Sequence, residues 1–210
     1  MNNFLSELKN KKILYFGPGN TSDKSNLNIN DYDYVIITNM MIDIFHKKYD
    51  IKKPKIIAYL NHGFTETYPD IIKKQSKYIY KFIFVLQRDV NFIKKYISED
   101  KILLSYFVLK RRTPLGLPRA LNLLEKTNFK ELYITGVTFY QECNLQEVYA
   151  DKEYIDEPTA NSVWWNTPGK NPYDLQDCHK LNDNIEYTKK ICQENNKIIL
   201  CEELKNILYK

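Results

Sequence analysis

The stretch "ELYITGVTFYQE" (residues 131–142) decides how this chain is read. Four residues with strand character run into Gly136, and the chain then emerges as Thr138, Phe139, Tyr140 and Gln141. A strand buried on both faces shows as a short apolar run bounded by turn residues. An end that turns polar and aromatic delivers side chains to something. Working outward, the same pattern recurs in "KKILYFG" (11–17), "DYVIITN" (33–39), "KIIAYLN" (55–61), "IYKFIFVL" (79–86), "LLSYFV" (103–108) and "KIILC" (197–201).

Helical spacing alternates with these runs. A helix is expected near 88–97, and "LPRALNLLEKT" (117–127) has apolar residues at 117, 121 and 124 with Pro118 tolerated in its first turn. "NDNIEYTKKICQEN" (182–195) and a short terminal segment complete the set. Apolar strands alternating with helices predict an α/β fold: one Rossmann-like, mostly parallel sheet with helices on both faces, as a single domain over residues 1–210. Ligands of such sheets sit at the carboxyl ends of strands. Gly17–Asn20, Asn39, Asn61 and Thr138–Tyr140 are therefore expected along one edge. The polar stretch 142–178 is too long for an ordinary connector and is expected as a lid over that edge.

Composition excludes several classes. Hydrophobic residues make up 43% and charged residues 27% of the chain, as in ordinary globular proteins. No apolar run is long enough to span a membrane, and "MNNFLSELKNKK" has no apolar core for a signal peptide. Cys143, Cys178, Cys192 and Cys201 form no C-x-x-C pair and have no histidine at zinc spacing, which fits a reduced, cytoplasmic protein. The charge is uneven: residues 1–112 carry 20 Lys and Arg against 11 Asp and Glu, and residues 113–210 carry 11 against 15. The basic half is either a set of solvated faces or the approach to an anionic ligand or membrane surface. It carries no aromatic–basic signature of a nucleic-acid module, so no nucleic-acid partner is expected.

Motifs narrow the chemistry. "GPGNTS" (17–22) lacks the third glycine of a dinucleotide turn, and Asn39 stands where a ribose-binding acid would follow the second strand. "DYD" (31–33) has the spacing of a metal-holding D-x-D but precedes its strand, at the far end from Asn39. Solvated turn carboxylates are the better account, so no metal ligands and no cofactor are expected. His46 lies in a basic run, His62 follows Asn61 at a strand end, and His179 precedes a helix just after the lid-like stretch. Nucleophile-elbow, Walker and H-E-x-x-H motifs are absent from the sequence.

The order of elements resembles the bacterial CMP-sialic acid-dependent sialyltransferases of the Campylobacter type. The resemblance rests on "RTPLG…LNLLEKTNFKELYITGVTFYQ" (112–141), set against an Arg-x-Thr-Ser-Gly segment, a helix and a strand "KEIYLSGIDFYQ". Gly116, Lys130, Glu131, Tyr133, Gly136, Phe139, Tyr140 and Gln141 agree at the same spacing. Looser matches follow in order: "GPGN" for a Gly-Asn-Gly-Pro turn, Asn39 and Asn61 for asparagines after the second and third strands, Tyr149 in "VYAD", and His179 before its helix. Pro114 and Leu115 replace the Thr-Ser pair, Pro18 replaces the turn asparagine, and Thr138 replaces an acid.

The resemblance implies a glycosyltransferase-A-like sheet without a metal-binding D-x-D, and inverting transfer of sialic acid or a related acidic sugar from a CMP-linked donor. His179 would take the proton from the acceptor hydroxyl, and Tyr140 and Tyr149 would hydrogen-bond the departing phosphate. Gly17, Gly19, Asn20, Asn39, Asn61, Gly116, Gly136 and Thr138 would surround nucleotide and donor, with Arg112 a partner for donor or acceptor. The implied partners are a nucleotide-sugar, a glycan or lipid-linked glycan acceptor, peripheral membrane contact through the basic half, and a second copy of the chain. Two other readings stand beside it: a transferase of the same build with another nucleotide-sugar, and a catalytically idle binding or assembly relative.

Overall fold

The computed structural model describes residues 2–19, 21–38, 45, 49–60, 69–110, 115–139 and 180–210. Seven strands form one sheet: β1 (Lys12–Phe16), β2 (Tyr34–Thr38), β3 (Lys55–Leu60), β4 (Ile79–Phe84), β5 (Ile102–Leu104), β6 (Glu131–Thr135) and β7 (Ile198–Leu200). Their order is β5-β4-β3-β2-β1-β6-β7, and every pairing is parallel. The described helices are α1 (Asn2–Glu7), α2 (Pro69–Gln75), α3 (Gln87–Ile93), α4 (Gly116–Leu124), α5 (Leu181–Glu194) and α6 (Glu202–Leu208).

Residue parity along each strand divides the core in two. Ile13, Tyr15, Ile36, Tyr59, Ile83, Leu132 and Ile134 pack on one face, with Phe4 of α1, Leu117, Leu121 and Leu124 of α4, Ile191 of α5 and Leu204 of α6. Leu14, Phe16, Val35, Ile37, Leu60, Phe82 and Phe84 pack on the other, with Ile72 of α2, Ile93 of α3 and Ile29. Successive strand side chains point to opposite faces, so a strand apolar at every position is one covered on both. Full burial of each such side chain contributes about 1.5–3 kcal/mol.

The α/β, parallel, doubly covered sheet of the sequence reading is the one observed. Ends differ in detail. The edge strand β5 spans Ile102–Leu104 rather than 103–108, with one further bond from Ser105 N–H to the Phe84 carbonyl. Helix α3 closes at Ile93 rather than near 97, its last carbonyls taken by a turn through Lys94–Tyr96. Helices α1 and α2 were not anticipated; both are short, and α2 carries its signal in Pro69 at the first helical position followed by Asp70.

The order sets the position of any ligand. Strands β1 to β5 add successively in one direction, whereas β6 returns to the opposite side of β1 and β7 continues from it. The sheet therefore reverses its winding between β1 and β6. In doubly wound sheets ligands bind beyond the carboxyl ends of the strands at such a switch point.

Candidate active site at the strand switch point

Two glycine-lined segments meet where β1 and β6 end. The Gly17 amide donates to the Thr135 carbonyl at 2.9 Å and the Gly19 amide to the Gly136 carbonyl at 2.7 Å. A side chain at Gly17 would place Cβ 2.2 Å from the Gly136 oxygen, and one at Gly136 would place it 2.2 Å from the Gly17 oxygen. Gly136 also holds φ +69°, a conformation that glycine adopts at no steric cost. Lys24 closes the turn from one side, its Nζ donating to the Gly17 and Gly19 carbonyls at 2.7 Å each while lying over the Phe16 ring.

Beneath the turn a polar network joins three segments distant in sequence. Thr135 Oγ1 donates to Asp23 Oδ1 at 2.8 Å, and Tyr133 Oη donates to Asp23 Oδ2 at 2.7 Å. With its only proton on Asp23, Thr135 accepts from Thr21 Oγ1 at 2.8 Å, and Thr21 accepts in turn from the Gly136 amide at 3.2 Å. Burial, then the Asp23 bond, holds the Tyr133 phenol far above its ordinary value, so it is a permanent donor. The Ser22 amide donates to Glu203 Oε1 at 2.7 Å, tying the same loop to α6.

Asp23, Cys201 and Glu203 bring potential ligand atoms within 4.8 Å of one another. Both Asp23 oxygens already accept hydrogen bonds, and burial pushes the Cys201 thiol up to about 11, so it stays protonated. The cluster is thus a tie between the β1 turn and α6. Burial opposes charge on Glu203, but the bonds from Ser22 and Cys201 outweigh it and hold the carboxyl below 4.5. A group depressed on folding stabilises above its unfolded pKa, and that contribution is lost as pH falls through the folded value. Urea midpoints of wild type and Glu203→Gln are expected to differ at neutral pH and to converge below about pH 4.5. A gap that does not change with pH would contradict this role.

The opposite wall is built by two helix starts. A Cβ at Gly116 would lie 2.5 Å from Thr38 Cγ2 and 2.9 Å from Tyr15 Oη, so α4 begins hard against the end of β2. The Leu115 amide donates to Asn184 Oδ1 at 2.8 Å, and Asn184 Nδ2 donates to the Lys180 carbonyl at 3.1 Å. The first turn of α5 is thereby fastened to the first turn of α4. Both helices present their N-terminal ends, where backbone amides lack helical partners, at the strand-end edge.

Gly17, Gly19, Gly136 and Thr138 are thus brought together, and Gly116 closes the neighbouring wall. Thr138 is 5% exposed, with its methyl packed where a Gly19 side chain would go, so it shapes the turn from below. Asn20, Asn39, Asn61, Arg112, Tyr140, Tyr149 and His179, together with His46, His62 and the 142–178 stretch, lie outside the described residues. Their chain neighbours Gly19, Thr38, Leu60 and Phe139 lie at β1, β2, β3 and β6 exits, and Lys180 opens α5. Asp31 and Asp33 both precede β2, at the opposite edge, where Asp33 Oδ2 accepts from the Lys12 amide at 2.9 Å. Sequence reasoning missed Lys24, Thr21, Asp23 and Glu203.

The fold and this edge define a doubly wound α/β protein of glycosyltransferase-A-like fold whose two glycine-lined turns meet at the sheet's switch point. Solved structures of the sialyltransferase CstII from Campylobacter jejuni share that fold. The complex with cytidine-5'-monophosphate is 20% identical, covers 93% of this chain and 87% of the other, and gives a TM-score of 0.52. The complex with CMP-3FNeuAc is 19% identical over 94% and 84%, with a TM-score of 0.52. A tyrosine-to-phenylalanine variant bound to CMP is 17% identical over 93% and 87%, with a TM-score of 0.56. No protein-family model and no curated protein matches the chain. Among the described residues no helix is long and apolar enough to cross a membrane.

Proposed function

We propose that the protein is a glycosyltransferase that moves sialic acid or a related acidic sugar from a CMP-linked donor to a glycan acceptor, with inversion and without a metal ion. The observation that carries this reading is the β1–β6 switch point, where the backbones at Gly17 and Gly136 cross too closely for side chains. Solved CMP complexes of the same fold support it.

In this mechanism Tyr140, the residue after Phe139, and Tyr149 donate hydrogen bonds to the phosphate as the glycosidic bond breaks. A nucleoside monophosphate leaves with charge that fixed neutral donors can stabilise, so no cation is required. His179, the residue before Lys180, removes the proton from the acceptor hydroxyl as it attacks from the opposite face. Asn39 and Asn61 follow the β2 and β3 ends and bind nucleotide and donor sugar, with Asn20 beside the glycine turn and Arg112 ahead of α4. The 142–178 stretch excludes water, which an activated donor needs to avoid hydrolysis.

A nucleotide panel tests the pocket. At a hundredfold excess over its Kd a ligand stabilises the folded state by about 2.7 kcal/mol, or roughly 5–10 °C in Tm for a chain of this size. CMP in EDTA is expected to give such a shift, while UDP and GDP give much less. Stabilisation by UDP alone, or by no nucleotide, would instead favour the other-donor or the idle-relative reading.

A further inference from the structure

We infer that Arg119 is a specificity-determining cation whose buried charge selects an oxyanion of the donor; this rests on the CMP-sugar reading above. Arg119 is 1% exposed, although arginine is among the side chains least often fully buried. Retaining a guanidinium in such a place is costly, and stability alone is a weak reason for it.

Its direction is fixed by three observations. Arg119 Nε donates to the Leu115 carbonyl at 3.3 Å, four residues earlier, so the side chain runs back toward the start of α4. That start is the end of the helix packed on Thr38, at the strand-end edge. The guanidinium carbon lies 5.1 Å from the centre of the Tyr59 ring, and Tyr59 is the penultimate residue of β3. The Tyr59 hydroxyl in turn donates to the Ser105 carbonyl at 3.5 Å, which fixes the ring on which the cation rests.

The charge is therefore seated just below the ends of β2 and β3. It lies two strands from the β1–β6 crossing, about 10 Å at the usual strand spacing. A CMP-linked acidic sugar reaches over such a distance and carries two oxyanions, the nucleotide phosphate and the sugar carboxylate. Away from water a fixed cation acts over several ångströms. Acting from under the surface, Arg119 is a positioning residue that favours an anion there over a neutral group.

Binding is measured by calorimetry for wild type, Arg119→Met and Arg119→Lys with cytidine, CMP and the substrate analogue CMP-3FNeuAc. Arg119→Met is expected to weaken one or both anionic ligands by about tenfold or more while changing cytidine little. A loss already seen with CMP assigns the phosphate; a loss confined to the acidic sugar nucleotide assigns the carboxylate. Equal change for all three ligands, or no change for any, would overturn the inference while leaving the proposed function intact. If Arg119→Met does not fold, Arg119→Lys decides: it is expected to keep most of the anion preference, and loss of that preference overturns the inference. Wild type that binds none of the three overturns both readings.

Discussion

Gly136→Ala is expected to cost about 4 kcal/mol or more, enough to abolish soluble folded protein in a chain of ordinary stability. The added methyl would lie 2.2 Å from the Gly17 carbonyl oxygen, and the residue would have to hold φ +69°. Gly17→Ala meets the Gly136 oxygen at the same 2.2 Å, so each glycine is required by the backbone of the other. Backbone on both sides leaves nothing that can rotate away. Gly116→Ala is the control. Its methyl meets side-chain atoms of the buried Thr38 and Tyr15 rather than backbone, so a smaller loss of about 1–3 kcal/mol is expected. Urea unfolding with circular dichroism measures all three. A Gly136→Ala protein as stable as Gly116→Ala would show that the crossing is not a constraint.

The second large effect is on turnover. His179→Ala is expected to lower the transfer rate by about a hundredfold to ten-thousandfold, the range of a positioned general base. On the proposed mechanism Tyr140→Phe and Tyr149→Phe would each remove one donor from the leaving phosphate, and each is expected to cost about a hundredfold to a thousandfold in kcat. Because those donors act most strongly on the charge that develops in the transition state, kcat falls more than KM rises. Steady-state CMP release with saturating donor measures this. If all three variants turn over at wild-type rates, the assigned roles are wrong even where the pocket is right.

The parallel sheet was legible because strands buried on both faces leave uninterrupted apolar runs, as "YVIIT" and "KIIAYL" do. Asn39 and Asn61 could be assigned to one edge without knowing the strand order, since parallel strands all end there. The switch point itself could not be read. Nothing local tells β6 to pair with β1 rather than beyond β5.

The support of the site was hidden for a related reason. Thr21 and Thr135 are 114 residues apart, Asp23 and Tyr133 are 110 apart, and Ser22 and Glu203 are 181 apart. Each residue taken singly has the composition of a solvated turn or helix end. Arg119 sits in "LPRALNLLEKT" where the helical pattern allows a polar position, and only the packing of α4 on β3 shows it buried. By contrast, Gly136 announced itself, because a glycine closing an apolar run at the head of "VTFYQ" marks a chain that turns sharply.

The proposed reaction is turnover of a CMP-linked acidic sugar at this edge without a metal ion. The most direct measurement is nucleotide release from matched CMP- and UDP-linked sugars in buffer containing EDTA, followed by chromatography. CMP is expected to be released from the CMP-linked acidic sugar at a rate unchanged by added manganese. Release from UDP-sugars alone, or release that appears only with manganese, would contradict it.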